Sequence, residues 1–185
     1  LKGYLEIMNL KKDDIEFRDQ YLQKCLAKVE EITYLSNKMF EYSLVFSTEY
    51  NSDLSNIPVQ KLIDTLVDHI QYLREMDLHI LYEPLQTSLS MDANFAIIQR
   101  ILNNVFSNIQ KYCDPWKDIV IQATIEENQL KMSFTNSINR HLDKVESNGI
   151  GLKSVKKMIE IHHGTFYQDE TNDLFTIILT FPIHQ

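Results

Sequence analysis

Apolar positions along the chain change period several times, and each change marks a different kind of element. Residues 1–10 carry the end of an amphipathic helical pattern. Residues 9–16 are polar and charged and suit a bend. From 15 to 46 the apolar positions are Leu22, Leu26, Val29, Ile32, Leu35, Met39, Tyr42 and Phe46, spaced by 4, 3, 3, 3, 4, 3 and 4. That spacing is close to 3.5 residues, the period of a narrow coiled-coil seam. A long helix with one narrow apolar stripe needs partner helices. The pattern therefore predicts a helical hairpin, two copies of which would form a four-helix bundle. A single helix packed on its own globular domain is the alternative.

Residues 47–56 are polar and without periodicity, which suits a linker. Pro58 fits the first turn of a new helix, which runs to about residue 76 with Val59, Leu62, Ile63, Leu66, Ile70 and Leu73 on one face. Residues 78–82 and 85–89 are strand candidates. Asp92 is a candidate N-cap for a helix through Tyr112. Residues 119–125 and 130–134 alternate around a polar turn and predict a β-hairpin. Residues 138–148 have the polar composition of a mobile loop. A helix follows over 152–163, with Gly164 as its C-cap, and strands are expected at 165–167 and 174–181. The expected fold class is α+β: an N-terminal helical hairpin, then a two-layer α/β sandwich with a mixed sheet. The expected division is 1–47 hairpin, 48–56 linker and 57–185 second domain.

Composition narrows the chemistry. The 185 residues include 18 basic and 26 acidic side chains, a net charge of −8, so no basic face marks a nucleic-acid binder. Cys25 and Cys113 sit in no CxxC pair and read as free thiols. No apolar run approaches the roughly 20 residues of a membrane-spanning helix. The opening on Leu1 in mid-helix pattern is that of a piece of a longer protein.

Only four glycines occur, and two of them, Gly149 and Gly151, stand one residue apart just before a good amphipathic helix. Glycine permits close backbone approach, and a helix start offers unpaired N–H groups and a positive dipole end to an anion, of which phosphate is the obvious candidate. An ordinary turn is the alternative. The third glycine of a dinucleotide fingerprint is missing. Behind the glycines, Lys153 could reach a phosphate, whereas Lys156 and Lys157 fit a solvated face. His162 and His163 fit the negative end of the helix dipole.

A second signal lies at Asn104, Asn108 and Lys111. On a helix they form one line, about 120° from the stripe of Ile98, Leu102, Val105 and Ile109. Asparagine is a poor interior helix residue, and a magnesium triphosphate would explain two of them one turn apart: the amide oxygen is a hard ligand and the lysine offsets phosphate charge. A polar outer face is the alternative.

In this order, NNVFSNIQKY resembles the N box of histidine kinases, GIGLKSVKKMIEIHHGTF resembles their second glycine box with its helix, and FTIILTFPI resembles their last strand. The chain is thus similar to the ATP-binding domain of bacterial sensor histidine kinases, of the Bergerat (GHKL) type. LKGYLEIM resembles the segment after their phosphoacceptor box, and the long helix resembles the second helix of their dimerisation hairpin. The resemblance implies ATP and Mg²⁺ as cofactors, with Asn108 as the metal ligand, Asn104 supporting it, Lys111 on phosphate, Tyr112 along the nucleotide, and Gly149, Gly151 and Leu152 shaping the lid base and phosphate cradle. It implies a homodimer through the hairpin, a response-regulator receiver domain as phosphoryl acceptor, and a cytoplasmic region of a membrane-anchored parent.

Three departures stand out. The DxGxG box is replaced at the matching strand end by Asn136, whose amide can still accept from adenine or can close an Asx turn. Arg100 occupies a position where some relatives hold an acidic or amide residue, so no water-activating base is evident. None of His69, His79, His141, His162, His163 or His184 carries the acid-Leu-basic-Thr-Pro sequence of the acceptor box, which places the phosphorylated histidine upstream of Leu1. Another GHKL-fold ATPase, or a nucleotide-independent dimerisation and interaction module, remains as the competing reading.

Overall fold

The computed structural model describes residues 2–10, 14–46, 54–140 and 150–185. The chain divides into two compact units, Leu1–Thr48 and Glu49–Gln185.

The first unit holds α1 (Lys2–Leu10) and α2 (Ile15–Phe46), the elements that the heptad-like spacing predicts. Asp14 starts α2, its carboxylate accepting from Phe17 N–H at 3.0 Å, which satisfies one of the unpaired donors at the helix start. Tyr4 of α1 meets Tyr21 of α2 edge-on, with ring centroids 5.7 Å apart, and Phe17 stacks on Tyr21 at 4.4 Å. Beyond this aromatic junction the seam residues Leu22, Leu26, Val29, Ile32, Leu35 and Met39 are all exposed.

The second unit begins with β1 (Ser55–Pro58), α3 (Val59–Glu75), β2 (Ile80–Tyr82), β3 (Ser90–Ala93) and α4 (Phe95–Tyr112). It continues with β4 (Ile119–Glu126), β5 (Gln129–Ser137), α5 (Ile150–Ile161), β6 (Thr165–Thr171) and β7 (Leu174–Pro182). Five strands form one sheet in the order β2-β4-β5-β7-β6, and β1 pairs with β3 in a small separate ribbon. Only β2–β4 is parallel, so the sheet is mixed. Its buried face is set by rows of apolar cross-strand partners. Ile121, Phe134 and Ile177 form one row, Ala123, Met132 and Leu179 the next, and Leu130 pairs with Phe181. On this face Phe106 of α4 meets Phe134 at 5.8 Å, and His162, just past α5, meets Phe181 at 6.0 Å. The other face carries threonines, with Thr135 and Thr176 hydroxyls 3.0 Å apart. The two-layer α/β sandwich follows from this one-sided burial.

Several local expectations change. Residues 85–89 form no strand; the strand lies at Ser90–Ala93, where Met91 and Ala93 are buried and pair with β1. Ser55 and Asn56, left in the linker by the pattern, belong to β1. A four-residue ribbon strand is too short to give a periodic signal, and only its partner supplies the ladder. Pro58 is the N-cap of α3 rather than a first-turn residue. Asp92 is held in β3 opposite Asn56, so Asn94 caps α4, accepting from Ala96 N–H at 3.1 Å and Ile97 N–H at 3.3 Å.

Gly164 does not supply the left-handed residue after α5; His163 does, with φ 56°. Glycine is required at 164 for space. A Cβ there would stand 2.0 Å from the Thr180 carbonyl oxygen of β7.

Candidate nucleotide site

Three helix turns of α4 decide where the site lies. Ile97, Ile98, Ile101, Leu102, Val105, Phe106 and Ile109 are all buried, each contributing roughly 1.5–3 kcal/mol over exposure. This stripe is wider than the four residues the sequence assigns. Asn104 and Asn108 border it, half-buried. The Oδ1 atom of Asn108 is buried and has no hydrogen-bond partner among the described residues. An unpaired buried acceptor costs roughly 1–3 kcal/mol, so this atom is suited to a donor or cation brought by a ligand.

The start of α5 comes against the same helix. A Cβ on Gly151 would lie 3.4 Å from Asn104 Oδ1, so the glycine brings the α5 backbone onto the asparagine line. The amide pair and the glycine-flanked helix start thus converge, as the motif order implies. Gly149 and residues 141–148 of the expected loop lie outside the described residues, and so does His141.

The far end of α4 is fixed by backbone bonds to the end of β5. Asp114 N–H donates to Ser137 C=O at 2.8 Å, Asn139 N–H donates to Tyr112 C=O at 2.9 Å, and Cys113 forms a bridge with Ile138. Ile138 N–H in turn donates to Asp173 C=O in the β6–β7 turn at 2.8 Å, and Arg140 pairs with the Asp173 carboxylate. These ties place Tyr112 and Ile138 side by side. Burial there pushes the Cys113 thiol up, which keeps it protonated and inert.

Between α4, α5 and β6 lies a cavity of about 630 Å³. Asn108 and Tyr112 line it from α4, and Leu152, Lys153 and Lys156 from α5. Ile138 and Phe175 line the strand ends, while Phe166, Tyr167, Gln168 and Glu170 form the β6 wall. Lys111 is exposed and away from this lining. Asn136 is 2% exposed on the helix-facing side of β5 and donates through Nδ2 to Ser137 C=O at 3.0 Å. It lies within the strand, paired with Phe175.

Sequence reasoning left Lys156 on a solvated face and missed the β6 wall altogether. The helical period did place Lys156 one turn after Leu152, but nothing in the sequence says that an edge strand folds back beside it.

Such a cavity, with two lysines, a buried unpaired amide oxygen and a helix start at one end and an aromatic–aliphatic wall at the other, suits a ligand that is anionic at one end and flat and apolar at the other. Among the described residues no group of three or more His, Cys, Asp or Glu side chains could hold a metal ion. A hard divalent ion meeting Asn108 Oδ1 would therefore take its other ligands from the phosphates and water, the usual manner of Mg²⁺.

His162 lies at the joint between α5 and the start of α4. It is 1% exposed; its Nδ1 lies 2.6 Å from Met158 C=O, and its Nε2 accepts from Asn94 N–H at 3.2 Å. One ring nitrogen donates and the other accepts, so the ring is neutral here. Burial holds its pKa below the usual 6.5. The expectation that His162 complements the helix dipole is corrected, since that role needs the cation.

The unfolded chain binds this proton below about pH 6.5 while the fold resists it, so stability is present above that pH and declines as pH falls below it. The wild-type unfolding free energy should fall by up to about 1.4 kcal/mol per pH unit between 6.5 and the lower folded value. Urea titrations of His162→Gln should lack this share of the slope; an unchanged slope would contradict it.

No protein-family model matches the chain. It is 30% identical over 167 residues to the sensor histidine kinase YrkQ of Bacillus subtilis, covering 89% of this chain and 38% of YrkQ. The chain spans about two fifths of the length of the curated relatives it matches. Its fold resembles full-length ShkA in complex with AMPPNP, with a TM-score of 0.69, 14% identity, and coverage of 93% of this chain and 40% of ShkA. It also resembles histidine kinase ThkA in complex with the response regulator protein TrrA, with a TM-score of 0.63, 18% identity, and coverage of 98% and 56%. With the asparagine line and the glycine-flanked helix meeting at one cavity, the chain belongs to the bacterial sensor histidine kinases, as their GHKL-type catalytic domain with a preceding helical segment.

Proposed function

We propose that this chain binds ATP with Mg²⁺ and donates the γ-phosphoryl group to a histidine outside these 185 residues, for relay to an aspartate of a response regulator. The observation that carries it is the meeting of Gly151 with Asn104, beside a cavity at which Asn108 offers a buried, unpaired amide oxygen.

In this reading Asn108 holds Mg²⁺, which supplies charge neutralisation on the triphosphate. Asn104 supports it, and Gly151, with Gly149 ahead of it, lets the α5 start approach the phosphates. Lys111 offsets charge from the outer side. Tyr112 and Leu152 pack along the nucleotide, and Asn136 meets the adenine edge. The imidazole nitrogen forms a P–N bond as the bond to the β–γ bridging oxygen breaks, and ADP leaves. Catalysis is positioning and electrostatics. The exposed seam of α2 supports a homodimer, in which a second copy covers Leu22 through Met39. Residues 1–47 then act as the dimerising hairpin, 48–54 as the linker and the unit that starts with β1 at Ser55 as the ATP domain, on the cytoplasmic side of a membrane-anchored parent. Among the described residues no helix is long and apolar enough to cross a membrane.

Calorimetry with AMPPNP tests this directly. Wild type should give binding heat that requires Mg²⁺. Gly151→Ala should keep the fold, because its Cβ meets only a side-chain oxygen at 3.4 Å and alanine favours the helix by about 0.5–1 kcal/mol. Its affinity should nonetheless fall at least about tenfold as the close approach is blocked. Absence of wild-type heat would leave the interaction-module reading, which the amide at Asn136 in place of a carboxylate favours.

A further inference from the structure

The β6 wall of the cavity carries no motif that the reading above uses. Phe166, Gln168 and Glu170 alternate along it, so they share one face of the edge strand. Strand register says which face. Asn136 of β5 pairs with Phe175 of β7, and Phe175 pairs with Glu170 of β6. Directly opposed residues point to the same side of a sheet. Asn136, Phe175 and Glu170 therefore form one row, directed toward the helices, with its ends two strand spacings apart, about 10 Å.

The chemistry of that row is uneven. Asn136 spends its Nδ2 on Ser137 C=O, so only its neutral amide oxygen is left to accept from a ligand. Phe175 lies between, half-buried, as a flat apolar surface. Glu170 is the one acid lining the cavity, and it takes part in no ion pair among the described residues. An exocyclic amino group is a donor, and a carboxylate accepts from it about twice as strongly as a neutral amide does. The strand end that usually supplies such a carboxylate in this family has an amide here, whereas the same row holds a carboxylate two strands away.

We propose that Glu170 is a base-reading residue, its carboxylate accepting from the exocyclic amino group of adenine over Phe175, in the row begun by Asn136. This rests on the nucleotide reading and adds a specificity determinant to it. A purine with a carbonyl oxygen in place of the amino group would meet two acceptors face to face and be disfavoured.

The test uses the 185-residue chain, Mg²⁺, and calorimetric titration with ATP and with inosine triphosphate, which differs in that group. Wild type should bind ATP at least about tenfold more tightly. Glu170→Ala, at an exposed edge-strand position, should weaken ATP about tenfold and leave inosine triphosphate bound at least as tightly as before. Glu170→Gln, which keeps an acceptor without the charge, should fall between. A wild-type preference for ATP that persists undiminished in Glu170→Ala overturns the assignment of Glu170 alone, and Glu170 is then a solvated edge residue. If neither nucleotide binds wild type, the nucleotide reading fails and takes this inference with it.

Discussion

Replacing Asn108 by leucine should abolish magnesium-dependent nucleotide binding and, at the same time, make the protein more stable. The two effects have one cause. Asn108 Oδ1 is buried with no partner among the described residues, a cost of roughly 1–3 kcal/mol that a hydrogen-bonding or metal partner would relieve. Leucine has nearly the same shape and no polar atom. It should raise the unfolding free energy of the second unit by about 1 kcal/mol, or a few degrees in the midpoint of its transition. In the proposed reading the metal ligand is lost with the amide, so affinity for Mg·AMPPNP should fall at least about a hundredfold. Melting curves and calorimetry on the same sample separate the two effects. A destabilised Asn108→Leu would mean that the amide has a structural partner in solution, and retained Mg²⁺-dependent affinity would remove it from the metal site. A residue that improves the fold when lost is a residue held for binding.

Gly164→Ala should be the most damaging glycine-to-alanine change among the described residues. Its added Cβ would lie 2.0 Å from the Thr180 carbonyl oxygen and 3.0 Å from Ile159 Cγ2. The first of these atoms is backbone in β7, opposite Thr165 in the ladder that joins β6 to the sheet, so it cannot rotate away as a side chain could. Either the α5–β6 turn moves outward or the ladder opens. Overpacking of this kind costs roughly 1–3 kcal/mol and occasionally more; with backbone on one side and the buried Ile159 on the other, about 3 kcal/mol is expected. Urea titration should show a lower midpoint with an unchanged slope. A loss under about 0.5 kcal/mol would show that the turn relaxes freely. Gly151→Ala is the contrasting case: of these two glycines one is required by the fold, and the other, in the proposed reading, by what the fold binds.

The chain's own pattern was sufficient for much of this. The seam spacing of 15–46 gave α2, because a helix of that length signals through many turns of one period. The alternations of 119–125 and 130–134 gave the β4–β5 hairpin, because burial on one face forces a period of two. Asn104, Asn108 and Gly151 stand out as candidates because each is locally costly or unusual: polar amides inside a helix, and glycine at a helix start; Leu152 enters only through the family resemblance. Such residues stand out before any fold is known.

Tertiary structure alone decided the rest. β1 and β3 are strands only because they pair with each other. His162 is neutral and not a dipole partner because Phe181, Met158 and Asn94 surround it. Gly164 is a matter of distance to a strand some 16 residues away in sequence, and Glu170 joins Asn136 only through the register of β7 between them. Periodicity and local strain are properties of neighbours along the chain; packing, desolvation and cross-strand rows depend on which distant segments meet, and no local pattern encodes them.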